Sequence, residues 1–296
     1  MRLAEQGFLL LTSSLGDPDR RPLSLSQLRI LGNRMANMPK PSQKRDLTAE
    51  DLLSIGYGGV QAQRILSLLE DGLQLERYLL KGKKHGCVPL TRVSSGYPGR
   101  LLERLGQESP GCLWAKGDLS LLESPRIALV GSRDIRQENQ KFAREAGMQA
   151  AKQGYVLVSG NARGADRIAQ DACLQNGGRV ICVIADELSS KTCDERILYL
   201  SEDDFDQPFS AQRALSRNRI IHGLCEKTLV AQSNLHTGGT WDGTVKNLRL
   251  CLSSVFCFQD GSGAVNSLVQ LGAEPISLSQ LEDFSRLQPL IGSFLK

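Results

Sequence analysis

The spacing of hydrophobic residues changes character near residue 126. Over residues 1–80 leucines recur at helical intervals with little β-branched enrichment, which predicts packed helices. Thr48 stands ahead of Ala49–Ser54 as a cap, with Glu50 and Asp51 in the first turn. Ile55-Gly56-Tyr57-Gly58-Gly59 follows, then a second helix from Val60 to near Asp71-Gly72. Two short helices on a glycine-rich hairpin read as a helix–hairpin–helix (SAM-like) module, whose N–H groups can meet a phosphate, or as a structural cap. Residues 81–125 read as a connector and edge. They hold a basic turn at Lys81-Gly82-Lys83-Lys84-His85, a leucine-rich helix around Leu101, Leu102 and Leu105, and a short strand at Cys112-Leu113-Trp114-Ala115.

From Arg126 to the end of the chain, short β-branched runs alternate with helical stretches. The predicted strands are Ile127–Val130, Tyr155–Ser159, Val180–Ile184, Thr228–Ala231 and Val255–Phe258. They are apolar on both faces, as strands of a buried parallel sheet must be. The predicted helices are Gln140–Gln153, Ala165–Asn176, Ser216–Cys225 and Thr244–Leu252. This alternation predicts an α/β fold with a doubly wound, mostly parallel sheet, preceded by a small helical domain. Gly272-Ala273-Glu274-Pro275-Ile276 adds one edge strand before a short C-terminal helix.

Charge sharpens this division. Residues 1–120 carry 17 Lys/Arg against 12 Asp/Glu, whereas the rest of the chain carries 19 against 20. A nucleic-acid site in the second part must therefore use a local arginine cluster rather than average charge. None of the eight cysteines forms a Cys-x-x-Cys pair, and the three histidines lack ligand spacing, so neither a metal nor another cofactor is expected. Several cysteines sit inside apolar runs as small core residues, which fits a reduced interior. The N-terminus has no long apolar h-region, and no stretch approaches the ~18 apolar residues of a membrane span. The expectation is a cytoplasmic protein with no membrane partner.

In a parallel sheet, ligands bind beyond the carboxyl ends of the strands. Gly131-Ser132-Arg133 follows the first strand, a small turn with a cation suited to a phosphate. Its glycines do not match a dinucleotide fingerprint. Ser159-Gly160-Asn161-Ala162-Arg163-Gly164-Ala165-Asp166 follows the second, again opening a helix. Asp166 serves either as a first-turn cap or as a ligand-orienting group. Arg213, Arg217, Asn218 and Arg219 precede the fourth strand. They read as a phosphate clamp or as a surface helix salt-bridged to Glu202-Asp203-Asp204. After that strand, Thr237-Gly238-Gly239-Thr240 makes an anion cradle, and Trp241 either stacks on a base or covers a core edge.

The succession Ile127-Ala128-Leu129-Val130-Gly131-Ser132-Arg133, Ser159 to Asp166, Leu200-Ser201-Glu202, Arg217-Asn218-Arg219-Ile220-Ile221 and Thr237-Gly238-Gly239-Thr240 resembles the DNA-processing protein A (DprA/Smf) family. Upstream, Gly96-Tyr97-Pro98 and Leu113-Trp114-Ala115-Lys116-Gly117-Asp118 are similar to that family's lead-in, so the resemblance covers nearly the whole chain. It implies an extended Rossmann-like domain, a non-catalytic pocket for single-stranded DNA, a homodimer, and delivery of protected DNA to the recombinase RecA in natural transformation or recombination. By matching position, it implies DNA contacts from Arg133, Arg163, Arg217 and Arg219, with Gly131, Ser132, Ser159, Gly160 and Gly164 shaping the phosphate-facing loops. Asn218, Gly238, Gly239 and Thr240 complete the candidate rim. The chain departs from the family pattern at Gln170, where a histidine is usual, at Ala165, where an isoleucine is usual, and in its Thr-Gly-Gly-Thr loop. No winged-helix pattern is found after Ala273.

A competing reading is a small-nucleotide-binding or nucleotide-cleaving protein of the LOG type. Thr237 to Thr244 has a glycine and threonine pattern similar to that family's motif. Val245-Lys246-Asn247 stands where the motif's catalytic glutamate belongs. No serine of the loops has a histidine beside it in the motifs, which favours binding over catalysis.

Overall fold

The computed structural model describes residues 1–38 and 46–289. Five helices come first: α1 (Leu3–Thr12), α2 (Leu25–Ala36), α3 (Ala49–Ser54), α4 (Gly59–Leu69) and α5 (Gly72–Lys84). Thr48 caps α3 as its sequence predicts, its backbone N–H and hydroxyl both donating to Asp51 at 2.9 Å. Leu31, Leu52, Ala62, Ile65 and Leu68 form a separate small core for these helices. Arg34 of α2 latches the α3–α4 hairpin, donating to the Gly56 carbonyl at 2.7 Å and lying over the Tyr57 ring.

Then come β1 (Val88–Thr91), α6 (Gly99–Leu105), β2 (Cys112–Gly117), β3 (Arg126–Val130), α7 (Gln137–Lys152), β4 (Val156–Ser159), α8 (Ala165–Gln175), β5 (Arg179–Ile184) and β6 (Ile197–Ser201). The chain continues through α9 (Ala211–Ser216), α10 (Asn218–Gly223), β7 (Lys227–Val230), α11 (Gly238–Leu250), β8 (Ser254–Phe258), α12 (Gly263–Gln270) and β9 (Glu274–Ile276). The nine strands form one sheet in the order β1-β2-β6-β5-β4-β3-β7-β8-β9, antiparallel at β1–β2 and β2–β6 and parallel elsewhere.

Alternate strand positions go to opposite faces, so each parallel strand feeds two cores. Ile127, Leu129, Leu157, Val180 and Cys182 pack with Phe142, Ala146 and Ala169 of α7 and α8. Ala128, Val130, Val158, Ile181 and Val183 pack with Leu101, Ile220, Ile221 and Leu268 of the helices on the other side. α7 and α8 approach closely because Gly147 carries no Cβ; one would run into the Ala169 carbonyl. α5 joins the sheet through a cluster of Tyr78, Trp114 and Phe205, with ring centroids 4.5–5.6 Å apart.

The five predicted inner strands lie within a residue of the observed ones, whereas the strand predicted at Cys112–Ala115 runs on to Gly117 and the edge strand predicted over 272–276 starts at Glu274. Four elements lie outside the sequence prediction: β1, β6, α9 and α12. The helix predicted over Ser216–Cys225 is the shorter α10, separated from the preceding α9 by a break at Arg217. The short C-terminal helix is a pair of 3-10 turns, Ser279–Glu282 and Phe284–Arg286, and residues 290–296 lie outside the described part of the chain. Among the described residues no helix is long and apolar enough to cross a membrane.

Candidate anion-binding site

Strand order reverses between β3 and β7. From β3 the chain steps outward through β4 and β5 to β6, then returns to β7 on the other side. Such a switch point leaves a crevice at the carboxyl edge of the sheet. A cavity of about 430 Å³ occupies it, lined by Gly131, Ser132 and Arg133 after β3, by Arg217, Asn218 and His222 of the α9–α10 turn, and by Thr237 to Thr240 at the start of α11.

The β3 loop is held rigidly. The Ser132 N–H donates to the Gln232 carbonyl at 3.0 Å, and its carbonyl accepts from the Ala165 N–H at 3.1 Å. The Gln232 side chain accepts from the Arg136 N–H at 2.8 Å and donates to the Asp134 carbonyl at 3.0 Å. Gly131 fits because a Cβ there would collide with Ala165. Gly164 sits at φ +85°, where a side chain would run into the Ser132 and Arg133 carbonyls. Alanine at position 165, small where the family has isoleucine, is part of this close packing. On the opposite wall no side chain caps the first turn of α11, and Asn218 anchors its loop by donating to the Gly239 carbonyl at 2.9 Å.

Arg217 is the centre of the arrangement. It is only 7% exposed, and its Nε and Nη1 have no hydrogen-bond partner among the described residues. The guanidinium lies directly over Gly160, whose missing Cβ makes room for it. Burial lowers the Arg217 pKa, opposed by nearby Asp166. Asp166 is itself buried, and burial raises its pKa against the pull of Arg217 and of two backbone N–H groups. Those are Gly160 and Ala162, donating at 3.0 and 3.2 Å. Asp166 therefore braces the β4 loop and offsets part of the Arg217 charge, beyond its first-turn position in α8.

The other residues singled out from the sequence divide. Arg133 is exposed at the mouth and is shared with two shallower depressions beside the cavity. Arg163 is exposed, 3.0 Å from the exposed Asp134, and with Gly160 lines one of those depressions. Ser159 is not at the rim. It is fully buried and accepts from the buried Gln170. Arg219 points away from the cavity into a buried ion pair with Glu202, donating to it at 2.7 Å and to the Ser216 carbonyl at 2.9 Å. Arg213 is likewise held by Asp203 at 2.6 Å. The salt-bridged reading of this arginine cluster thus applies to Arg213 and Arg219, and the clamp reading keeps Arg217. Trp241 is buried at a core edge, with its ring against His236. It is not available as a stacking platform.

Sequence reasoning missed Gln232, whose role needs the β3–β7 juxtaposition. It also missed the polar network behind the cavity. There Asn247 and Thr228 surround the His222 Nδ1 at 3.3 and 3.2 Å, and Thr228 and Asn247 meet Ser253 at 2.7 and 2.9 Å. Burial drives the His222 pKa down to about 3, so the ring stays neutral.

A doubly wound, mostly parallel sheet with a crevice at its switch point defines a Rossmann-like α/β protein. The chain belongs to the DNA recombination-mediator protein A family, whose model matches residues 89–284. It is 33% identical over 276 residues to DNA processing protein DprA of Streptococcus pneumoniae, covering 79% of this chain and 96% of that protein. The X-ray structure of DprA from Streptococcus pneumoniae superposes with a TM-score of 0.72 at 25% identity, covering 95% of this chain and 96% of that one. DNA processing protein A from Helicobacter pylori, described for its single-stranded DNA binding mode, shares the fold with a TM-score of 0.56 at 21% identity. That match covers 66% of this chain and 94% of that one.

Proposed function

We propose that the protein binds single-stranded DNA through its phosphates at the β3–β7 crevice, without catalysis. On this reading it acts in the cytoplasm as a homodimer and hands the strand to the recombinase RecA during natural transformation or recombination. The observation that carries the reading is Arg217, a buried guanidinium with unpaired N–H groups at the wall of a cavity. A buried guanidinium whose N–H groups lack acceptors is costly, and a phosphate supplies those acceptors and the counter-charge that Asp166 provides only in part. Arg133 at the mouth and the first turn of α11 opposite add donors on either side. Family membership supports a DNA partner over a free nucleotide.

The test is fluorescence anisotropy of a labelled single strand against duplex across a salt series, with wild type, Arg133→Ala and Arg217→Met. The expected result is preference for the single strand, with affinity falling by a log–log slope of about 0.7 per phosphate contacted. Arg133→Ala is expected to reduce that slope by about one contact. No binding at low salt overturns the proposal and turns the search to small nucleotides in the same cavity.

A further inference from the structure

Phosphate contacts hold a strand but do not distinguish unpaired bases from paired ones. Beside the main cavity is a second depression of about 420 Å³, lined by Arg133, Gly160, Arg163, Asp186, Phe209 and Arg217, among others. Phe209 is 59% exposed, and it is the only exposed phenylalanine, tyrosine or tryptophan among the described residues. Its ring shares this depression with the guanidinium groups of Arg133, Arg163 and Arg217, and an aromatic face beside cations suits a nucleotide. Its segment is well fixed. The Ser210 N–H donates to the Ala185 carbonyl at 3.4 Å, the Gln207 N–H to the Asp204 carbonyl at 3.2 Å, and Arg213, itself held by Asp203, donates to the Pro208 carbonyl. Phe209 is therefore presented on an anchored loop between β6 and α9. Asp186, the acidic group of this depression, is engaged by Lys191. What remains open is an aromatic face beside cations.

We propose that Phe209 is a base-stacking platform that receives an unpaired nucleobase next to the phosphate held by Arg217 and Arg133, and that it supplies the preference for single strands. The inference rests on the single-strand reading of the cavity and adds a residue and a chemical class to it. Stacking is tolerant of sequence because every base has a π-face, but it requires a base free of its partner. A base in duplex DNA is stacked and paired already, so Phe209 contributes to single-strand affinity and not to duplex affinity.

The experiment measures binding of an oligothymidylate, an abasic strand of equal length and a duplex, for wild type, Phe209→Ala, Phe209→Leu, Phe209→Trp and Arg217→Met. Phe209→Ala and Phe209→Leu are expected to weaken oligothymidylate binding by roughly five- to a hundredfold, with the salt slope unchanged. Abasic and duplex affinities are expected to stay at wild-type values. Phe209→Trp is expected to retain affinity and to show indole quenching on addition of the oligothymidylate. Leucine separates the aromatic face from simple apolar bulk, and an exposed side chain leaves folding intact. If Phe209→Ala binds the oligothymidylate as wild type does while Arg217→Met does not, the stacking platform is overturned and the phosphate site stands. Equal losses for the abasic and thymidylate strands also overturn it. If wild type binds no single strand, both fall.

Discussion

Arg217 and Arg219 stand two residues apart and have opposite fates. Arg219 turns toward β6 and is neutralised by Glu202, with Ser216 completing its donors. Arg217 turns toward the β3–β7 crevice, lies on Gly160, and has its nearest opposite charge, Asp166, already committed to two backbone N–H groups. Identical side chains thus separate into a structural cation and an available one. What separates them is whether the surrounding shell leaves their N–H groups without acceptors. A cluster of arginines in a sequence is not in itself a binding site; the member whose N–H groups lack acceptors among the described residues is the candidate.

This contrast can be broken from either side. The largest expected effect is at the structural arginine. Arg219→Ala leaves Glu202 largely buried without its partner and is expected to lower unfolding free energy by about 3 kcal/mol, read by chemical denaturation. Strand affinity of the folded protein should hardly move. At the available arginine the pattern inverts. Arg217→Met is expected to cost about 2 kcal/mol of strand affinity, because a charge-assisted contact is lost. Its melting temperature should fall by less than that of Arg219→Ala, because Arg217 makes no direct ion pair and Asp166 keeps its two backbone N–H donors. If Arg217→Met unfolds the protein while Arg219→Ala leaves it stable, the assignment of roles is reversed.

His222, behind the cavity, sharpens the comparison through pH. Its folded pKa of about 3 lies below the ordinary 6.5, so between these values the unfolded chain binds a proton that the folded chain does not. Stability due to this group is complete above pH 6.5 and is lost as pH falls toward 3, by at most about 1.4 kcal/mol per pH unit. His222→Gln should flatten that part of the denaturation profile relative to wild type. The smallest effect is expected at Arg163. Exposed and paired only with exposed Asp134, its replacement by alanine should leave stability unchanged and alter strand affinity by less than Arg133→Ala does.

Much of the sheet was legible because its strands are local, apolar runs between turn signals. Ile127–Val130 and Val255–Phe258 announce themselves by composition alone. β6 did not, because Ile197-Leu198-Tyr199-Leu200-Ser201 owes its place to pairing with β5 and β2, partners distant in the chain. The loops that shape the crevice were legible too, since small residues before helices point to it. The roles within them were less so. Ser159 looks like a rim residue by its neighbours, yet it ends a buried strand and meets Gln170. Trp241 offers either a stacking face or a core edge, and only packing on Ile220, Leu252 and their neighbours decides for the core. Phe209 carries no motif at all, and its exposure depends on where an anchored loop happens to lead.

The sequence by itself determined the α/β class, the doubly wound order of elements, the family, and the loops that converge on one sheet edge. These come from hydrophobic period, turn chemistry and short motifs, all of which act over a few neighbouring residues. Tertiary structure alone decided which arginine is paired and which is open, which aromatic is buried and which is offered to solvent. Those outcomes depend on acceptors and neighbours brought together from Asp166, Glu202 and Gly160, and on how deeply each group is removed from water.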